Sequence, residues 1–169
     1  MIHVYVICEG QTEVQFVEKI LAPHFGLSNI FLYGRLLGRP GHKGGNVRFD
    51  RLSRDVRDVM RSHTGAFCTT FFDFYGLAED FPGKSEARKK ATVADKASQI
   101  RSTLTSELEE KLGSETIRYF IPYVQMYEFE ALLFSDPKKF AQGINQSDRE
   151  RTCSSTNMWW LKNCCSFSL

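Results

Sequence analysis

Blocks of apolar residues punctuated by acids and glycines organise the chain. Val4, Tyr5, Val6 and Ile7 form a near-continuous apolar run, the pattern of a strand covered on both faces. Thr12 with Gln15 three residues on has the form of a capping box, and Val14, Val17, Ile20 and Leu21 follow at helical spacing. A helix is therefore expected over about residues 13–24, with Pro23 in its last turn. Residues 29–37, NIFLYGRLL, read as a second strand weakened by Gly34. The glycine-rich stretch 38–46, GRPGHKGGN, feeds a helix whose apolar stripe is Phe49, Leu52, Val56, Val59 and Met60.

Residues 66–72, AFCTTFF, make a third strand that runs into Asp73. After the loop FYGLAEDFPG, Thr92 and Asp95 offer a looser capping arrangement, and Ala97, Ile100, Leu104, Leu108 and Leu112 carry a long helical stripe until Gly113 stops it. Residues 119–125, YFIPYVQ, predict a fourth strand that Pro122 places at an edge or an irregularity, and EFEALLF predicts a short helix behind it. Strands alternating with helices of this length imply right-handed crossovers. The expected fold class is α/β, Rossmann-like, with a mostly parallel central sheet and helices on both faces. Ligands of such sheets sit beyond the carboxyl ends of the strands, and two acids stand there: Glu9 after the first strand and Asp73 at the end of the third.

Composition changes this picture little. The 169 residues suffice for one domain, and 42% hydrophobic with 25% charged residues is ordinary for a globular protein. No apolar run approaches the roughly 18 residues of a membrane span, and the N-terminus lacks the basic lead of a signal peptide, so a cytoplasmic setting without membrane contact is expected. Cys8, Cys68, Cys153, Cys164 and Cys165 are an odd, unevenly spaced set that fits neither a disulfide framework nor a structural zinc site. Residues 145–169 show no helical or strand period, so the organisation expected is a domain over 1–144 and an irregular tail over 145–169. That tail reads either as a segment docked through Trp159 and Trp160 or as the product of a truncation or altered reading frame.

Charge is more informative by position than in sum. The net value is +2, yet residues 35–63 hold eight Arg or Lys against three Asp, a local +5 that leaves −3 for the remainder. Backbone N–H groups of a glycine-rich loop entering a helix can hold a phosphate, and Lys43 and Arg48 flank that entrance, with His42 beside them. No Gly-Lys-Ser/Thr follows the gap, so this is no Walker loop. Arg51, Arg54, Arg57 and Arg61 interleave with aspartates as on a solvated helix face. His3, His24 and His63 form no dyad pattern and are expected to be structural or solvent-facing.

The acids carry the chemistry. Mg²⁺ takes oxygen ligands, commonly one or two carboxylates completed by water and substrate phosphate. Gly10 after Glu9 lets bare backbone approach a phosphate, and Glu13 in the first helical turn points back toward the same place. Each acid alone has an ordinary explanation as a solvated loop or helix-dipole residue. Two acids ending two strands of one sheet put a site on equal footing with that explanation.

A strand followed by E-G-x-T-E, with a later strand ending in aspartate, resembles the TOPRIM domain of topoisomerases, primases and the overcoming-lysogenization-defect nucleases. More narrowly, CEGQTEVQF, FFDFYGLAEDFPG and IPYVQMYEFEALLFSDP resemble a bacterial TOPRIM-like family, domain of unknown function 4276. The resemblance implies catalytic roles for Glu9 and Asp73, with Glu9 as metal ligand or general acid/base. It implies Mg²⁺ or Mn²⁺ ligands at Glu9, Glu13, Asp73 and Glu128, and contacts to substrate from Gly10, Lys43 and Arg48. Tyr75 stands where the TOPRIM pattern has its second aspartate, so Glu13 or Glu128 has to supply the missing ligand. Glu128 and Glu130, two apart at a helix start, point in different directions, so at most one is expected to face the site; Glu128 is preferred because Phe129, Ala131, Leu132 and Leu133 have to supply the buried stripe, and Asp80 is a weaker candidate. The implied activity is a metal-dependent phosphodiesterase, most naturally a nuclease acting on DNA or RNA. An ABC-type ATPase partner and a role in phage defence follow by analogy, and nothing in the chain excludes a homo-oligomer. A non-catalytic module binding nucleic acid or the ATPase is the alternative.

Overall fold

The computed structural model describes residues 1–38, 47–128 and 131. The chain divides into Met1–Phe129 and Glu130–Leu169, and every element below lies in the first. The boundary expected at 144/145, the helix expected from EFEALLF, Glu130, and the loop residues His42 and Lys43 lie outside the described residues.

Strand β1 (Ile2–Cys8) is followed by α1 (Gln11–Phe16), a π-helical turn Val17–Leu21 and α2 (Ala22–Gly26). Then come β2 (Ile30–Leu36), α3 (Phe49–Ser62), β3 (Phe67–Asp73), α4 (Lys84–Arg88), α5 (Val93–Leu112), α6 (Ser114–Ile117), β4 (Phe120–Ile121) and β5 (Val124–Gln125). The sheet order is β2-β1-β3-β4, β5 adds to β3, and every pairing is parallel. This is the α/β architecture the alternating pattern predicts.

From β1 the chain moves one way to β2, then returns past β1 to β3. Right-handed connections in opposite directions place their helices on opposite faces. The two hydrophobic clusters bear this out. Val6, Cys8 and Phe71 pack with Val14 and Val17 on one face, while Ile7, Cys68 and Phe72 share the other with Leu52, Val56 and Val59 of α3 and Ile100, Leu104 and Leu108 of α5. The three α3 residues and the three of α5 are completely buried, each contributing about 1.5–3 kcal/mol. Gly34 of β2 has a packing reason: a Cβ there would stand 3.0 Å from Val14 Cγ1 and 3.2 Å from the Val14 carbonyl oxygen, so its absence lets α1 lie close to the strand.

Several local expectations are corrected. The first helix begins at Gln11 with Gly10 as its N-cap and no side-chain cap, so Thr12 lies inside the helix. Pro23 has no N–H to give and its ring would crowd the carbonyl four residues back; the preceding turn widens to the π form, and Ala22 N donates to Val17 O instead. Thr92 does cap α5: its hydroxyl oxygen accepts from Asp95 N at 3.1 Å and donates to Asp95 Oδ2 at 2.7 Å. The expected strand 119–125 is two short strands split at Pro122 and Tyr123. There the Thr70 hydroxyl replaces the ladder, accepting from Tyr123 N at 3.0 Å and donating to Tyr123 O at 2.6 Å.

Candidate functional site

The reversal of strand order falls between β1 and β3, and at such a switch point the crevice beyond the carboxyl ends is open to a ligand. Glu9 follows the last residue of β1, and Asp73 is the last residue of β3. Both are half-buried. The structure thus sets these two predicted acids at the ends of neighbouring strands flanking the switch.

Glu9 owes its position to Gly76. The chain turns tightly after β3, with Gly76 N donating to Asp73 O at 3.1 Å, and the Glu9 carboxylate rests in the space left by the missing side chain. A Cβ on residue 76 would stand 2.3 Å from Glu9 Oε2 and 2.8 Å from Oε1. Gly10 serves Glu13 in the same way, since a Cβ there would stand 2.7 Å from Glu13 Oε2. Two glycines therefore make room for two carboxylates.

Electrostatics ties in the third. Burial first, then the charges of Glu13 and Glu128, raise the Glu9 carboxyl above its ordinary pKa. Glu13 and Glu128 thus both act on Glu9. Asp73 acts instead on Tyr123, whose hydroxyl is raised first by burial and then by that carboxylate. Glu128 is exposed. Among the described residues no group of three His, Cys, Asp or Glu side chains stands close enough to hold a metal ion. The donor chemistry fits a hydrated cation held by one or two carboxylates, as Mg²⁺ prefers, and does not fit a closed protein cage.

The basic segment returns beside this turn. Val47 bridges Leu77, with Val47 N donating to Gly76 O at 3.1 Å and Ala78 N to Val47 O at 3.0 Å. Arg48 is the N-cap of α3, so its backbone lies one residue from that bridge. Its side chain, however, lines a cleft of about 280 Å³ with Phe49, Asp50, Asp80, Pro82 and Glu107. Asp80 belongs to that cleft and is exposed, and Tyr75 is also exposed, at 63%. Along α3, Arg54 Nε donates to Asp50 O at 3.1 Å and Arg57 stands 3.9 Å from Asp58, the solvated face expected of an interleaved charge pattern.

The sequence model of a family described as a domain of unknown function, DUF4276, matches residues 8–157. The chain belongs to that family. The matched span takes in Glu9, Gly10, Glu13, Asp73, Gly76 and Glu128 of this DUF4276 chain. No curated protein and no solved structure matches the chain. Among the described residues no helix is long and apolar enough to cross a membrane.

Sequence reasoning passed over Gly76 and Lys84. A glycine three residues beyond a strand-ending aspartate signals a turn, but its service to Glu9, 67 positions earlier, is visible only in the fold. Lys84 is a fully buried lysine whose ammonium donates to the Leu77 carbonyl and to Glu79 Oε1, the latter at 3.1 Å. It pins the loop that carries Gly76.

Proposed function

We propose that the chain is a divalent-metal-dependent phosphodiesterase of TOPRIM type, acting on nucleic acid as a nuclease. One observation carries the reading: Glu9, seated against Gly76 at the carboxyl end of β1 beside the switch point, is half-buried, and the charges it feels there, from Glu13 and Glu128, are both negative. Negative charges placed there repel a phosphodiester, and a divalent cation between them would remove that repulsion. A bound Mg²⁺ or Mn²⁺ would neutralise phosphate charge and lower the pKa of an attacking water.

The TOPRIM resemblance supports the following roles for the chain's own residues. Glu9, wedged against Gly76, is a fixed ligand or base whose burial makes its carboxylate more basic. Glu13, Asp73 and Glu128 complete the acidic rim as ligands. Gly10 exposes backbone for phosphate approach, and Lys43 with Arg48 steadies the polymer, so binding weakens steeply with salt. In this reading the enzyme works in the cytoplasm, with an ABC-type ATPase as partner and phage defence as its setting.

The absence of a three-residue metal cluster among the described residues, with exposed Tyr75 at the second TOPRIM position, favours one rival. That rival is a non-catalytic module that binds nucleic acid or the ATPase. Incubation with single- and double-stranded DNA and RNA in Mg²⁺ and in Mn²⁺ separates the two. Cleavage by the wild type that Glu9→Gln and Asp73→Asn each reduce at least about a hundredfold supports the enzyme. Cleavage that survives both substitutions, or no cleavage together with no metal binding, overturns it, and turnover of free nucleotides alone points to a small-molecule phosphohydrolase.

A further inference from the structure

The opposite end of the sheet carries a second constellation. Period-two alternation puts His3, Tyr5 and Ile7 of β1 on one face, and the parallel register sets them beside Phe31, Tyr33 and Arg35 of β2. Helix α3 covers Ile7 but ends at Ser62, and its C-cap residue His63 comes down on Tyr5. Beyond that point the face opens into a cleft of about 410 Å³, lined chiefly by His3, Tyr5, Tyr33, His63 and Thr64.

Its rings form one continuous stack. Tyr5 and His63 lie 4.0 Å apart between centroids at 17°, Tyr5 and Tyr33 5.1 Å at 24°, and Tyr33 and His3 5.8 Å at 15°. Two hydrogen bonds of 3.0 Å hold the rings in place, from Tyr5 Oη to His63 Nδ1 and from Tyr33 Oη to His3 Nδ1. Those bonds occupy Nδ1 of both imidazoles and leave Nε2 as the edge offered to a ligand. Tyr33 keeps 40% of its surface exposed. A lone exposed tyrosine needs no explanation, but four near-parallel, mutually clipped rings bordering a cleft do.

The chemistry selects the ligand. A flat π-stack with hydrogen-bonding edges fits a flat heteroaromatic ring with donors and acceptors on its rim, and the volume lies in the range of small-ligand sites. We propose that this cleft is a nucleobase-binding site, taking the purine or pyrimidine ring of a nucleoside or nucleotide on the Tyr33–Tyr5–His63 stack. It stands roughly 13 Å along β1 from Glu9, four residues at about 3.3 Å each, and does not rest on the phosphodiesterase reading.

Calorimetric titration of the full chain with adenosine and uridine, and in a second arm with ten-nucleotide oligoadenylate and oligouridylate, tests it. Saturable binding in either arm is expected, and the arm tells whether the base arrives free or within a strand. Tyr33→Ala and His63→Ala should each weaken binding about tenfold or more. Tyr33→Phe, which keeps the ring, should retain most of it, and Glu9→Gln should leave it unchanged. Tyr33→Leu replaces Tyr33→Ala if the smaller residue prevents folding. No saturable binding in either arm, undiminished binding in the Tyr33 and His63 variants, or a homodimer that Tyr33→Ala dissolves would each overturn the proposal.

Discussion

The carboxylate of Glu9 occupies the space where residue 76 would carry a side chain, 2.3 Å from the ideal Cβ position at Gly76. The crowding atoms are the far end of a side chain able to rotate, so the conflict in Gly76→Ala resolves by moving Glu9 rather than the backbone. Stability should therefore change by less than about 1 kcal/mol, as urea unfolding would show. Any divalent-metal binding or metal-dependent cleavage should fall about tenfold or more, because misplacing a reacting group by about 1 Å costs that and beyond. A Gly76→Ala protein with wild-type metal response would remove the link between this glycine and the site.

That relationship shows what the sequence could and could not reveal. The strands, the long helices and the parallel sheet were legible because apolar runs and helical stripes are local patterns, and Glu9 and Asp73 were legible because they end such runs. Gly76 was not, since its purpose is to leave room for a residue on a neighbouring strand. The split at Pro122 was half-visible: proline forbids a ladder bond there, but only the fold shows Thr70 reaching across to Tyr123 N and O. The sequence offers His3 and His63 only as structural or solvent-facing residues, and their grouping with Tyr5 and Tyr33 was illegible for the same reason as Gly76. Their meaning lies in the β1–β2 register and in where α3 stops.

Lys84 is tethered to the Leu77 carbonyl from a position only 1% exposed. In Lys84→Met the apolar stem survives and the ammonium does not, leaving a buried carbonyl without its donor and Glu79 without one of its two cations. The variant should lose about 1–3 kcal/mol of stability in urea unfolding. Because Leu77 follows Gly76 directly, the loop that seats Glu9 should also exchange its amide hydrogens faster. Unchanged stability with unchanged exchange at Leu77 and Ala78 would show that the lysine is a passenger.

Glu79 supplies the pH dependence of the same clamp. Its carboxylate accepts from Arg88 and from Lys84, and those hydrogen bonds, strengthened by the two positive charges, lower its pKa from the ordinary 4.5. A carboxyl with a lowered folded pKa binds its proton more weakly in the folded than in the unfolded chain. Its contribution is therefore complete above pH 4.5 and fades as pH falls through the lowered folded value. Glu79→Gln keeps an oxygen acceptor but has no charge to lose, so other acids titrate alike in both proteins and cancel in the comparison. The wild type should melt at a higher temperature than Glu79→Gln at pH 7, and the gap should close progressively as the pH is taken down from 4.5 through the lowered folded value. A gap that stays constant across that range would mean that the charge of Glu79 contributes nothing to holding Lys84 and the loop behind Gly76.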